Sequence, residues 1–365
     1  MKKSLLALAV LGAFAGAAYA QSSVTIYGVV DTSISRIDQG NESVTGMDSG
    51  NNAASRIGFK GVEDLGNGLK AEFVLENGID TSDGSGGSGF SRLAFIGLNG
   101  GFGKVRLGRQ ENQLKEALTQ VDTFGAAGIA NAHDFIGGYD GLPQRQPNMV
   151  TWQSQNYGGF SGSLGYIFGE ANDDNSANSG WGARLGYANG PLNVQAVYQK
   201  QNETSGAIAA GTLVVDPDTG IVTATTDADP AVDGDTKTAL IGATYDFGAF
   251  KLHGVYGQKK YDAGLVAADD VKVRSGLIGA TVPFGASAIR AEYIRNDNRD
   301  IDDADSNVWA LSYTYALSKR TTFYATYVRV GNDDGSTMGL GGGDYAAAAG
   351  GESVSGAGIG INHKF

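Results

Sequence analysis

Apolar and polar residues alternate with a period of two in short stretches of the chain after residue 23. In residues 239–247 every second side chain is apolar, and Thr244 and Asp246 lie between them. This alternation predicts half-buried β-strands, and segments of about ten residues are typical of membrane-spanning barrels. Soluble β-sandwiches alternate similarly but have shorter strands. The clearest stretches are residues 24–29, 55–60, 91–98, 239–247, 309–315 and 356–365.

Two kinds of connection alternate strictly between these stretches. Seven are short and rich in Gly and Asn, which supply the positive φ of tight hairpins. Eight are long and polar, so that 16 strands are joined with short turns on one rim and long loops on the other. We therefore predict an all-β fold, a 16-stranded antiparallel transmembrane β-barrel without a domain boundary. The long connections are residues 38–53, 79–89, 111–147, 171–179, 203–236, 260–271, 298–306 and 332–354.

The first twenty residues have the pattern of a secretory signal peptide. Lys2 and Lys3 precede an apolar run over residues 5–18, and Ala18-Tyr19-Ala20 is an A-x-A cleavage site. We predict a cleaved leader at residues 1–20 and a mature barrel at residues 21–365. Later residues contain no run of 18 predominantly apolar side chains, so the sequence predicts no transmembrane helix.

Composition narrows the classes of function. The chain has no cysteine, which excludes disulfides and Cys-ligated metal sites. With 27 basic and 39 acidic residues its formal net charge is −12, which argues against nucleic-acid binding. His133, His253 and His363 lie in separate predicted segments, so we expect no metal site and no cofactor.

Several motifs resemble the general porins of Gram-negative outer membranes, and in particular the trimeric porins of beta-proteobacteria. They lie at residues 23–28, 55–61, 63–71, 92–98, 107–109 and 361–365. The resemblance implies a homotrimer of 16-stranded barrels in the cell outer membrane, surrounded by its lipid and lipopolysaccharide. It implies that the third long loop folds into the lumen. It also implies that Phe365 belongs to a signal read by the barrel-assembly machinery.

Four basic side chains are predicted on faces opposite the apolar residues of their strands. Facing lipid at the bilayer midplane, each would cost ~2–4 kcal/mol, so we expect them to face the lumen. The resemblance implies that Arg56 and Arg92 line the pore constriction, and that Arg145, at the end of the long loop, is a third such residue. A solvated position near a rim is the alternative for each. The four side chains are Arg56, Lys60, Arg92 and Arg106.

The loop at residues 111–147 supplies acidic candidates for the opposite side of the constriction. A basic wall facing an acidic loop creates a transverse field that filters solutes by charge. Solvation or helix capping is the alternative for each acid. We expect Asp122, Asp134 and Asp140 at the constriction, and the loop also carries Glu111 and Glu116.

These features together predict a passive diffusion pore for small hydrophilic solutes and ions, with a weak preference for anions. The alternatives are an outer-membrane barrel that acts as an enzyme, such as a phospholipase or protease, or as an adhesin with binding loops. An enzyme would require a nucleophile or an acid–base group with partners, and the sequence shows no such arrangement.

Overall fold

A computed structural model describes residues 23–137, 143–169, 178–205, 213–215, 222–224, 232–262, 271–341, 345, 347 and 349–365. The predicted leader and Asp140 lie outside the described residues. The first strands are β1 (Ser23–Asp38), β2 (Ser43–Ser49), β3 (Arg56–Gly66), β4 (Leu69–Gly78), β5 (Leu93–Gly100), β6 (Gly103–Glu111), β7 (Arg145–Gln153), β8 (Phe160–Ile167), β9 (Gly180–Asn189) and β10 (Leu192–Ser205). The later strands are β11 (Leu213–Val215), β12 (Val222–Ala224), β13 (Val232–Asp246), β14 (Lys251–Asp262), β15 (Val271–Phe284), β16 (Ser287–Asn298), β17 (Ser306–Ala316), β18 (Thr321–Asn332) and β19 (Val354–Lys364). Two helices, α1 (Gln113–Val121) and α2 (Ala132–Phe135), lie between β6 and β7.

Sixteen of the described strands form a closed antiparallel barrel, which confirms the predicted fold. Each barrel strand pairs with the next one along the chain, and β1 closes the ring against β19 from Val29↔Lys364 to Asp38↔Ser355. The strands β11 and β12 pair with each other in a separate sheet. Closure satisfies the backbone donors and acceptors between strands, as a hydrocarbon environment requires.

An additional strand, β2, lies within the first predicted long loop. The pairing of β3 with β1 ends at Val29, so the rest of that edge of β1 would lack a partner. The strand β2 folds back along β1, from Thr32↔Ser49 to Asp38↔Ser43, and supplies the missing hydrogen bonds.

The two faces of the barrel wall differ as the alternation predicts. On β13, Ile241 is 54% exposed on the outer surface, whereas Thr238 and Thr244 are buried on the inner one. Aromatic rings meet on the outer face near both ends of the strands. Phe247 and Phe250, at a short turn, stack with centroids 4.7 Å apart. Such rings form the girdles at the two interfaces of a membrane-spanning barrel.

The alternation of residues 91–98 predicts that Leu93 and Phe95 lie opposite the lumen-facing Arg92 and Ala94, and the structure contradicts this for Phe95. Phe95 is buried on the inner face with the Arg106 guanidinium 4.8 Å from its ring centroid, whereas Ile96 is 62% exposed on the outer face. Apolar residues occupy both odd and even positions of this stretch, so the alternation does not show which face meets the lipid. The cation–π contact with Arg106 stabilises the Phe95 ring on the inner face. Arg92 precedes the first residue of β5, so the alternation of that strand does not determine its direction.

The described part of the segment between β6 and β7 packs against the inner face of the barrel wall. Helix α1 contacts β8, β9, β10, β13 and β14, and its side chains meet inward-facing positions of the wall. Leu114, Leu118 and Val121 form its buried apolar stripe. Among the described residues, the helices are too short and too polar to cross a membrane.

Wall glycines make room for this inward segment. A Cβ atom built on Gly242 would lie 2.6 Å from Cγ2 of Val121, closer than two carbon atoms can approach. A Cβ on Gly279 would collide with the Thr123 hydroxyl. The close approach of α1 and the residues after it therefore depends on missing side chains in β13 and β15.

Candidate functional site

A cavity of about 880 Å³ lies between the inward segment and the barrel wall. Charged side chains of both signs surround it, and the basic ones come mainly from consecutive wall strands. The basic lining residues are Arg56, Arg92, Arg109, Lys115 and Arg145. The acidic lining residues are Asp48, Asp80, Glu111 and Asp134.

Glu76 on β4 holds two of these arginines. Its carboxylate lies 2.6 Å from Nε of Arg92 and 3.5 Å from Nε of Arg56, and the Tyr27 hydroxyl donates to it at 2.9 Å. Glu76 is buried, so this network has few alternative geometries. One carboxylate shared between two guanidinium groups leaves a surplus positive charge beside the cavity. The sequence analysis did not select Glu76, because it lies outside the motifs shared with the family. The alternation of β4 is the signal that could have placed it on the inner face.

Arg145 reaches the same cavity from the start of β7. It pairs in register with Glu111 at the end of β6, and its Nη2 lies 3.2 Å from the Glu111 carboxylate. The structure therefore brings together the three arginines that the family resemblance selected, Arg56, Arg92 and Arg145.

Two further cations line the cavity that sequence reasoning did not select. Lys115 lies on α1, and its ammonium group donates to the carbonyl oxygen of Ala126. Burial lowers the pKa of Lys115 to about 8, although the nearby Glu111 opposes this shift. Arg109 donates through Nε to the Ser91 carbonyl oxygen. The register of β6 shifts next to Arg109, so counting alternate residues does not reveal its direction.

The acids of the inward segment have different roles. Asp134 lines the cavity and accepts a hydrogen bond from Nε2 of Gln144 at 3.0 Å. Asp122 is buried, and its carboxylate accepts from the backbone N–H groups of Phe124 and Ala126. Asp122, which we expected at the constriction, therefore does not line the cavity, because the turn after α1 needs its oxygens as acceptors.

Glu116 is also held away from the cavity. Its carboxylate lies 3.3 Å from Nε of Arg184 on the wall, and burial raises the pKa of Glu116. This ion pair fastens α1 to β9.

Lys60 and Arg106 do not line the cavity, although both were expected at the constriction. Nε of Arg106 lies 2.7 Å from the Glu72 carboxylate. Nζ of Lys60 lies 5.1 Å from the centroid of the Tyr27 ring. Both residues lie closer to the short turns than Arg56 does. Lys60 follows Arg56 along β3 towards a short turn, and Arg106 lies near the short-turn end of β6.

The last residue completes the ring of strands. Phe365 exchanges two backbone hydrogen bonds of 3.1 Å with Gly28 on β1. Its ring packs over Gly28 and is 45% exposed.

Comparison with known proteins supports one family for the whole arrangement. The family described as Gram-negative porin matches residues 7–335. The chain is 36% identical to outer membrane porin protein 32 of Delftia acidovorans, with 100% of both chains covered. It is 31% identical to an outer membrane porin protein of Bordetella pertussis, over 89% of this chain and 93% of the relative.

A solved structure has the same fold along nearly the whole chain. It is described as an anion-selective porin from Comamonas acidovorans, and it superposes with a TM-score of 0.79 at 31% identity. The match covers 94% of this chain and 100% of that one. The chain therefore belongs to the Gram-negative porin family, as a multi-pass β-barrel of the outer membrane that acts as a general porin.

Proposed function

We propose that the cavity is the constriction of the pore and that it gives the pore a weak preference for anions. The observation that carries this proposal is the convergence of five basic side chains on one cavity. Among the described residues, two carboxylates, those of Glu76 and Glu111, form ion pairs with the arginines of this group. The anion-selective porin of Comamonas acidovorans, at 31% identity, supports the same sign of selectivity.

The remaining acids at the cavity accept hydrogen bonds from neighbouring groups. Asp80 accepts hydrogen bonds from the backbone N–H and the hydroxyl of Ser82. Asp48 accepts from the hydroxyl of Ser35. Four of the five basic groups therefore lie on or next to the wall strands from β3 to β7, whereas Asp48, Asp80 and Asp134 lie in the long connections. Because the formal charges nearly balance, the preference is weak and depends on this separation.

Reversal potentials in a planar bilayer across a potassium chloride gradient test this proposal. A charge felt at ~5–10 Å through an effective dielectric constant of ~20 contributes about 2–3 kcal/mol before salt screening. The variant Arg56→Ala, Arg92→Ala, Arg145→Ala should therefore lose the anion preference or reverse it. Equal reversal potentials in this variant and the unmodified protein would contradict the assignment of these arginines as the filter.

A matched control removes three charges far from the cavity. Lys319, Arg320 and Lys364 lie at the short-turn rim, at the ends of β17, β18 and β19. Their combined replacement by Gln should leave the reversal potential unchanged. An equal loss in this control would show that total charge, rather than the cavity, sets the selectivity.

We infer that solutes cross by diffusion without a chemical step. Family membership supports a channel over the enzyme and adhesin alternatives. The bilayer experiment addresses this point too, since a porin gives stepwise conductance without any added substrate.

We also propose three partners and one processing step from the family resemblance. The chain assembles as a homotrimer, its C-terminal Phe365 is read by the barrel-assembly machinery, and its outer surface contacts lipopolysaccharide. An apolar depression of about 480 Å³ on the outer face of β1 and β17–β19 supports a protein contact there. Residues 1–20 are removed on export. Crosslinking of unheated protein tests the homotrimer, and the mass of the mature chain tests the removal of residues 1–20.

A further inference from the structure

Lys115 differs from the arginines around the cavity because its side chain can lose a proton and act as a nucleophile. It lies in the first turn of α1, is 5% exposed, and lines the cavity of about 880 Å³. Its ammonium group donates to the carbonyl oxygen of Ala126. Within the described part of the chain, no carboxylate lies at ion-pairing distance from this group. The side chain therefore lacks the anionic partner that would hold it in its charged form.

The surroundings of Lys115 favour a neutral amine at pH values near neutrality. Burial lowers the pKa of Lys115 to about 8, and the positive charge of Arg145 adds to this shift. His133 on α2 also interacts with Lys115, and burial lowers the pKa of His133 to about 3, so it adds no positive charge. At pH 8 about half of the Lys115 side chains are therefore neutral, against less than ~1% of solvated lysines with a pKa of ~10.4. The charged groups that oppose the shift are Glu111, Asp134 and Asp122.

The same cavity favours an anion in place of the ammonium group. Four guanidinium groups line it, and the pairing of Glu76 with two of them leaves a positive surplus. Guanidinium groups donate to planar carboxylate-like groups, often through two parallel hydrogen bonds. A planar anion formed on the Lys115 nitrogen would therefore find cationic donors in the wall. The four arginines are Arg56, Arg92, Arg109 and Arg145.

We propose that Lys115 binds carbon dioxide covalently, as a carbamate on its side-chain nitrogen. The neutral nitrogen attacks the carbon atom of carbon dioxide and forms an N–C bond. One electron pair of a C=O bond moves onto oxygen to give the carboxylate, and the nitrogen releases one proton to water. No oxidation or reduction takes place, and the reaction is reversible. The carbamate nitrogen keeps one hydrogen, so it can still donate to the Ala126 carbonyl oxygen.

Carbamate formation would change the charge at this edge of the cavity. The ammonium form of Lys115 is positive and the amine is neutral, whereas the carbamate is negative. A negative charge here opposes the arginines of the wall, so carbon dioxide should weaken the preference for anions. This consequence rests on the proposed function of the cavity, whereas the carbamate itself does not.

Chemical trapping with peptide mass spectrometry tests the carbamate directly on the detergent-solubilised protein. The protein is equilibrated with isotopically labelled bicarbonate at pH 8, and triethyloxonium ion converts any carbamate into a stable ester. The peptide that contains Lys115 should carry the label in a fraction at least ~10-fold larger than peptides with solvated lysines. The matched controls are Lys70 and Lys319, which are exposed at the short-turn rim. Labelling of Lys115 no greater than that of these two lysines would overturn the inference.

Neighbouring charges provide variants that keep Lys115 itself in place. Arg145→Gln removes a cation that favours both the neutral amine and the carbamate, so it should lower the labelled fraction several-fold. Arg145→Lys keeps the positive charge and should retain most of the labelling. Glu111→Gln removes an opposing carboxylate and should increase the labelling. A labelled fraction that is unchanged in both Arg145→Gln and Glu111→Gln would overturn the inference.

Reversal potentials separate this inference from the proposed pore function. More dissolved carbon dioxide at constant pH should weaken the anion preference of the unmodified protein but not that of Lys115→Arg. Both proteins meet the same bicarbonate concentration, so permeation of bicarbonate does not explain a difference between them. Labelled Lys115 with an unchanged reversal potential would support the carbamate and contradict the role of the cavity as the constriction. An anion preference without labelling of Lys115 would overturn the carbamate and leave the proposed pore intact.

Discussion

The ammonium group of Lys115 should make ion selectivity depend on pH in the weakly alkaline range. Lys115 is buried on α1 at the edge of the cavity, and burial lowers its pKa to about 8. Below that pH the group is charged and adds to the positive side of the proposed constriction. As the pH rises through 8 the charge is lost, so the preference for anions should weaken.

The expected size of the effect follows from the position of Lys115. At ~7 Å and an effective dielectric constant of ~20, one charge contributes about 2 kcal/mol to the energy of a passing anion. In 0.1 M salt the Debye length is ~10 Å, which reduces this to about 1 kcal/mol. A difference of that size changes the local anion concentration roughly fivefold. The anion-to-cation permeability ratio should fall by at most this factor between pH 6.5 and 9.5.

Reversal potentials measured at several pH values in a planar bilayer provide the assay. Lys115→Gln should show no dependence on pH and should match the unmodified protein at pH 9.5. Lys115→Arg keeps its charge throughout this range, so it should also be independent of pH but retain the anion preference. A permeability ratio that is constant from pH 6.5 to 9.5 in the unmodified protein would refute the reasoning. A pH dependence that persists in Lys115→Gln would assign the titration to another group.

Three further predictions concern stability and assembly. Tyr324→Phe removes a hydrogen bond of 2.6 Å to the buried carboxylate of Asp31 and should lower the free energy of unfolding by about 1.5–3 kcal/mol, measured by denaturant titration. Deleting Phe365 removes its backbone hydrogen bonds to Gly28 and should reduce the folded protein in the outer membrane while the precursor is still made, as heat-modifiability gels would show. Burial lowers the pKa of His133 to about 3. As the pH falls below ~6.5, the His133 imidazole therefore becomes protonated in the unfolded chain but stays neutral in the folded protein. Acid should therefore destabilise the fold by up to ~1.4 kcal/mol per pH unit, and His133→Gln should flatten that profile in thermal unfolding.

The barrel could be predicted from sequence because each strand and each short turn is marked by residues close together in the chain. Alternation with a period of two marks each wall strand, and Gly and Asn mark each short turn, so the number of strands follows from counting. The strand β2 was missed because its role is to cover an edge of β1 that appears only after folding. The faces of β5 were misread because Phe95 is sheltered inside by Arg106, a contact with another strand.

The residues around the cavity were less predictable because several of them depend on how the segment between β6 and β7 folds. The pattern predicts that Arg56 faces the lumen and the family resemblance selects Arg145, and the structure places both at the cavity. Lys115 lies on a helix in a region that the pattern describes only as a polar loop. The sequence suggests that Asp122 lines the pore, but its carboxylate oxygens accept backbone hydrogen bonds in the turn after α1. Such roles depend on which backbone groups lack partners, which is a property of the folded segment.

The net charge of the chain alone does not predict the ion selectivity of this pore, because it does not depend on where the charges lie. The chain as a whole carries −12, yet many acids occupy the long loops at one rim. Several there are already paired, since Arg295 lies 2.6 Å from Asp305 and Arg299 lies 3.0 Å from Asp297. Exposed charges more than ~8 Å from a permeating ion are largely screened at physiological salt. At the proposed constriction a permeating ion should pass close to the arginines of the wall, so the sign of selectivity should follow these arginines rather than the net charge.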